Sequence, residues 1–123
     1  MSQPSMPALE YRGIDAAQAL NFIFSAYERD RPYSLFDIRD ANSYAQSHIP
    51  TAQHLPEREV GTVARSLPRD QPVLIYCYHG HTSQSFAKTF VAFGFSEVYS
   101  IDGGFHALVH AFQHARQAAQ AQG

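Results

Sequence analysis

The single cysteine of this chain, Cys77, stands where an apolar run gives way to a polar loop: Val73-Leu74-Ile75-Tyr76-Cys77-Tyr78-His79-Gly80-His81-Thr82-Ser83-Gln84. The order is that of a strand, a tight loop and the start of a helix. In open parallel sheets ligands bind beyond the carboxyl ends of the strands, where the backbone N–H groups of a following helix point toward them. A free thiol titrates near about 8.5 and is mostly protonated at neutral pH. Unpaired loop amides and the positive end of a helix dipole both favour the thiolate. His79 and His81 add positive charge when protonated. A lone cysteine elsewhere is commonly a small buried hydrophobe, but the polar loop that follows suits core packing poorly. The expectation is a nucleophilic, anion-accepting Cys77.

The rest of the chain must hold that sulfur in place. Its 123 residues are the size of one domain. A hydrophobic share of 45% and a charged share of 16% fit a compact globular chain. A net charge of -2 with nine dispersed Lys and Arg argues against a nucleic-acid surface. One cysteine allows no internal disulfide, so redox or transfer chemistry requires an external partner. The N-terminus, with neither a basic region nor an apolar stretch, suggests no secretion signal, and no segment reads as a membrane span. A cytoplasmic protein is expected.

Residues 1–8 read as a flexible lead, residues 9–116 as one domain and 117–123 as a C-terminal tail. Leu9–Tyr11 suggest a first strand. Asp15 caps a helix over 16–28 whose Ala16, Leu20, Ile23, Phe24 and Tyr27 share a face. Asp30-Arg31-Pro32 ends it, and Ser34–Ile38 read as a buried strand leading into Asp37-Ile38-Arg39-Asp40. A short helix over 42–46, a turn at His48-Ile49-Pro50 and a brief strand over 52–55 come next. The helical face of Val60, Val63, Ala64 and Leu67 contains Gly61 as its weak point. Beyond the Cys77 loop, a helix over 83–93 carries Phe86, Phe90 and Phe93 and stops at Gly94. The strand over 97–101 runs into Asp102-Gly103-Gly104 and a helix led by Phe105, Leu108, Val109 and Phe112. Alternating strands and helices indicate an α/β fold with a mainly parallel sheet. Asp37 and Arg39, Cys77, and Asp102-Gly103-Gly104 then fall on one rim.

At these residues the chain resembles the rhodanese (sulfurtransferase) family, and in particular bacterial single-domain thiosulfate sulfurtransferases of the glycerol-phosphate regulon type. The resemblance rests on Asp37-Ile38-Arg39-Asp40, Ser43-Tyr44-Ala45-Gln46-Ser47-His48-Ile49, Cys77-Tyr78-His79-Gly80 and Val98-Tyr99-Ser100-Ile101-Asp102-Gly103-Gly104-Phe105. It implies a rhodanese-like five-stranded parallel sheet flanked by helices on both faces, with the loop cradling Cys77. It also implies transfer of sulfane sulfur from thiosulfate, or another donor, through a persulfide on Cys77. The acceptor is then cyanide or a thiol such as a thioredoxin-like dithiol, and no cofactor or metal is required. Tyr78, His79, Gly80, His81 and Thr82 are the expected substrate-binding loop, with Asp37 and Arg39 in support. His48 and Asp102 are read as shaping the rim. The sequence departs from the family at Ser47 and Thr51, where glycines are usual, at Leu108, where an aromatic is frequent, and at His81-Thr82, where close relatives carry Asn-Ser.

Two rival functions keep the same fold. A phosphatase or arsenate reductase also uses a thiolate under amides, but needs an arginine six positions after the cysteine, where Ser83 stands. A non-catalytic rhodanese-like binding module would retain the fold without the activity. His106, His110 and His114 recur every fourth residue, as a chelating stripe would. They face away from the apolar side of their helix and lack an acidic or cysteine neighbour, so they read as a solvated surface.

Overall fold

Short apolar runs bounded by proline, glycine and charge become strands, and the amphipathic stretches between them become helices. In chain order these are β1 (Arg12–Ile14), α1 (Ala16–Glu28), β2 (Ser34–Asp37), α2 (Ala41–Gln46), β3 (Gln53–His54), a 3-10 turn (Glu57–Glu59), α3 (Val60–Ser66), β4 (Val73–Tyr76), α4 (Thr82–Ala92), β5 (Val98–Ile101) and α5 (Gly104–Gln122). This computed structural model describes residues 10–122. The expected lead over residues 1–8, Leu9 and Gly123 lie outside the described residues.

The strands form one sheet in the order β1-β5-β4-β2-β3, and every neighbouring pair is parallel. All strand ends therefore share one rim, as the sequence pattern requires. Side chains alternate across the sheet. Leu35, Leu74, Tyr76 and Ile101 pack with Ala19, Leu20 and Ile23 of α1 and Leu108 of α5. Phe36, Val73, Ile75 and Val98 face the other way, onto Val60 and Ala64 of α3 and Ala87 and Phe90 of α4. β4 lies in the middle and its four residues are fully buried. Each apolar side chain there contributes about 1.5–3 kcal/mol of burial, which fixes the point where the chain emerges at Cys77.

Local signals set the ends of the elements. Asp15 accepts the amide of Gln18 at 2.8 Å while the Gln18 side chain accepts the Asp15 amide at 2.9 Å, closing a capping box on α1. Asp40 caps α2 through the amide of Ser43. Gly94, at φ +96°, follows the last turn of α4. Gly61 is accommodated within α3, where Val60 and Ala64 are buried.

Three expectations shift. The first strand is Arg12–Ile14 rather than the expected segment ending at Tyr11: of that segment the described Glu10 and Tyr11 lie before the strand, whose register is set by pairing of Arg12 with Tyr99 and Ile14 with Ile101. Phe24 and Tyr27 are 43% and 82% exposed rather than core residues. The buried face of α1 is instead completed by Ala19 and Ala26. The last helix extends to Gln122, and its residues from 113 to 120 are exposed.

Candidate active site

Cys77 is the first residue beyond β4 and is 4% exposed. Its Sγ accepts the amide of Gly80 at 3.1 Å and lies 3.6 Å from the Ser83 hydroxyl. Burial alone raises a thiol pKa. Here the Ser83 hydroxyl and the amides of Ser83, Gly80 and His79 outweigh it, and Cys77 falls below the ordinary thiol value. The sulfur also lies at the N-terminal end of α4, which favours negative charge. Of the expected loop, His79 and Gly80 thus turn their amides to the sulfur. The side chains of Tyr78, His79, His81 and Thr82 are exposed, and Tyr78 turns toward α2. The bland alternative of a thiol packed in hydrocarbon does not describe this site.

Ser83 and Ser100 escaped the sequence reading as functional residues. Both are fully buried, and their hydroxyls are 2.8 Å apart. The available signal was Ser100 at a strand position whose one neighbour on the same face of β5, Val98, is apolar. A buried hydroxyl there needs a polar partner.

The loop is seated on the turn after β5. Gly80 has φ +94°, and a Cβ there would stand 2.9 Å from the Gly103 nitrogen. Gly104 has φ +60°, and its Cβ would lie 2.5 Å from the backbone of Cys77 and Tyr78. The Phe105 amide donates to the Cys77 carbonyl at 2.8 Å. The Gly103-Gly104-Phe105 segment is therefore the base against which the loop rests.

Asp37 and Arg39 form a second construction on the same rim. Arg39 Nη2 donates to Asp37 Oδ2 at 2.8 Å and to the Ser47 carbonyl at 2.6 Å, while Nε lies 3.2 Å from each carboxylate oxygen. Its guanidinium covers the Phe105 ring, 3.8 Å from the centroid. Burial tends to lower the Arg39 pKa, but hydrogen bonding and charge from Asp37 hold it above its ordinary value. Neither residue bonds to Cys77; each is engaged with the other. Tyr78 donates its hydroxyl to Asp40 and pairs with Ser43 Oγ at 2.7 Å. The Tyr78 hydroxyl, then the amide and hydroxyl of Ser43, bring the Asp40 carboxyl down to about 2. His48 stacks on Tyr44 with centroids 3.9 Å apart, and Asp102 donates its amide to the Ile14 carbonyl.

Among the described residues no group of three or more His, Cys, Asp or Glu is arranged to hold a metal ion. His106, His110 and His114 are exposed, and His106 stacks on His79 with centroids 5.4 Å apart. Nor is any helix among them long and apolar enough to cross a membrane.

A parallel α/β sheet with a thiolate-stabilising loop at its carboxyl rim fits the rhodanese-like class. Residues 23–111 match the rhodanese-like domain family, and the chain belongs to it. Among its relatives, thiosulfate sulfurtransferase GlpE of Pseudomonas putida (strain GB-1) is 42% identical over 96 residues, 78% of this chain and 83% of that protein. The protein of the same name from Pseudomonas entomophila (strain L48) is 44% identical over 96 residues, again 78% and 83% of the two chains. A rhodanese-like domain protein from Staphylococcus aureus has the same fold, with a TM-score of 0.67 at 22% identity over 79% of this chain and 90% of that one. A solved protein of Bacillus halodurans gives 0.68 at 27% identity over 83% and 73%.

Proposed function

We propose that this chain is a thiosulfate sulfurtransferase that carries sulfane sulfur as a persulfide on Cys77. The observation that carries the proposal is the Cys77 sulfur facing the Gly80 amide and the Ser83 hydroxyl, with its pKa lowered. Relatives named thiosulfate sulfurtransferase over most of the chain support it.

In the first half-reaction the Cys77 thiolate attacks the outer sulfur of thiosulfate. A sulfur–sulfur bond forms to Cys77, the bond to the sulfonate sulfur breaks, and sulfite leaves with the electron pair. The negative charge of the persulfide then rests on its terminal sulfur, beside the loop amides of residues 78–82. In the second half-reaction cyanide or a thiolate, such as that of a thioredoxin-like dithiol, takes the terminal sulfur and Cys77 leaves as thiolate. Every bond change occurs at sulfur, so this chemistry calls for no metal or organic cofactor. Asp37 and Arg39 act as supports of the rim, residues 9–116 as one working domain, and a reducing cytoplasm suits thiol acceptors.

The phosphatase alternative loses its main requirement. Ser83, at the position needing an oxyanion-gripping arginine, is fully buried and turned toward Sγ. Exposure of the protein to thiosulfate followed by intact mass measurement tests the proposal. A gain of one sulfur atom is expected, and none in Cys77→Ser. Folded protein that gains no sulfur would overturn the proposal in favour of a binding module, and Cys77-dependent turnover of a phosphate monoester would overturn it in favour of the rival enzyme.

A further inference from the structure

Beneath Cys77 lies a short chain of neutral hydroxyls that a thiolate cradle made only of amides would not need. The Ser83 hydroxyl is within 3.6 Å of Sγ, and the Ser100 hydroxyl is 2.8 Å from that of Ser83. Both serines are 0% exposed, one on the first turn of α4 and the other on β5. Val98, two residues before Ser100 on the same face of β5, packs in the core against α4. A polar side chain at position 100 is costly in such surroundings unless its hydroxyl is bonded.

We infer that Ser100 is a positioning residue for sulfur transfer, aiming the Ser83 hydroxyl at Cys77 through a two-serine relay that reverses with the charge on sulfur. This inference rests on the sulfurtransferase reading of the same site. With a neutral thiol, Cys77 donates to Ser83 Oγ and Ser83 donates to Ser100 Oγ. With a thiolate, Ser83 turns its proton to the sulfur and Ser100 donates to Ser83 Oγ. Two O–H bonds rotate and no proton passes along the chain; the thiol proton leaves through the loop mouth. The arrangement lowers the charge cost of Cys77 both as attacking thiolate and as leaving group. The second role matters most in the discharge step, because a thiol of lower pKa leaves faster.

The charged and titratable side chains on the elements that carry the site are His79, His81 and Tyr78 on the loop, Lys88 on α4, Asp37 at the end of β2 with Arg39 just after it, Tyr76 on β4, and Asp102 and His106 after β5. Among the described residues none of them bonds to Sγ or to either serine hydroxyl. The amides and any histidine charge are common to wild type and the serine variants, so the difference in Cys77 pH response between them reports on the relay.

The test is the pH dependence of Cys77 alkylation by iodoacetamide in wild type, Ser83→Ala, Ser100→Ala and the double variant, with persulfide discharge to cyanide followed in parallel. Ser83→Ala is expected to raise the thiol midpoint by about one unit and Ser100→Ala by roughly half a unit. Discharge should slow by about twofold to threefold per unit. Ser100→Thr, which restores a hydroxyl, should recover most of the shift. In the Ser83→Ala background the Ser100→Ala change should have no further effect, since Ser100 acts only through Ser83. Additive shifts, or a Ser100→Ala midpoint equal to wild type in protein with an unaltered near-ultraviolet circular dichroism spectrum, would overturn the relay. Absence of any persulfide on wild type would instead overturn the sulfurtransferase reading, and the alkylation profiles would still decide the relay.

Discussion

Two constructions meet at the carboxyl rim of the sheet, and they are held by different forces. The Cys77 loop is fixed by backbone amides, a pair of neutral hydroxyls and close contact with the turn at Gly103 and Gly104. The brace beside it is fixed by charge, with Arg39 clasping Asp37 and covering Phe105. On the proposed function, the difference separates chemistry from support. A full cation bonded to Sγ would bind the thiolate so tightly as to dull its attack, whereas amides and hydroxyls stabilise a sulfur anion and leave it accessible to a donor. The rim's strong charge pair is occupied with itself and lies over Phe105, beside the base of the loop.

Gly104→Ala strikes the loop hardest. Its Cβ would sit 2.5 Å from the backbone of Cys77 and Tyr78 at φ +60°, so the loop must move. We expect a loss of roughly 3 kcal/mol or more in urea denaturation and a fall of about 100-fold in sulfur transfer. Arg39→Ala should separate the two constructions. It leaves the Asp37 carboxylate buried and unpaired, at a cost of about 3–5 kcal/mol, while the protein that remains folded still accepts sulfur on Cys77. A stable but inactive Arg39→Ala protein would move Arg39 from support to chemistry. The double change Asp37→Leu with Arg39→Met should recover much of the stability, because it removes both charges together.

The smallest effect lies at the opposite, amino-terminal edge of the sheet, where Tyr33 precedes β2 and Thr51 precedes β3. Thr51, in place of the family's usual glycine, has φ +73° and bonds to the Tyr33 hydroxyl at 2.8 Å. A β-branched residue is strained there, and asparagine tolerates that backbone better. Thr51→Asn is expected to raise stability by about 0.5–1 kcal/mol with unchanged transfer. A loss of stability would mean that the Tyr33 bond outweighs the strain.

The two constructions also differed in how far the sequence disclosed them. Cys77 and the Asp102-Gly103-Gly104 turn were legible because both break an apolar run abruptly, and parallel pairing then brings such breaks to one edge. Asp37 and Arg39 were legible as a pair for the same reason; that they bond to each other and that Arg39 covers Phe105 became visible only in the fold. Ser83 was legible only as a missing arginine, and Ser100 only as one residue in a strand. A hydroxyl's partner depends on which elements become neighbours in space, and β5 beside β4 is a property of the sheet order. Phe24 and Tyr27 were misjudged because helical spacing marks a broad apolar face without saying which edge of it is covered. The covered edge is the one that carries Ala19 and Ala26, and the spacing alone does not mark it.

Depression of the thiol pKa has a thermodynamic counterpart. Ionisation of Cys77 adds stability that is complete above the unfolded value of about 8.5 and fades as pH falls through the lower folded value. The most direct test of the whole account is a titration of the ultraviolet thiolate absorbance of the native protein, with Cys77→Ser as the blank. With one cysteine in the chain, the signal belongs to a single sulfur. The account predicts a midpoint below that of a free cysteine. A midpoint at or above it would contradict the claim that amides and hydroxyls prepare this sulfur for attack.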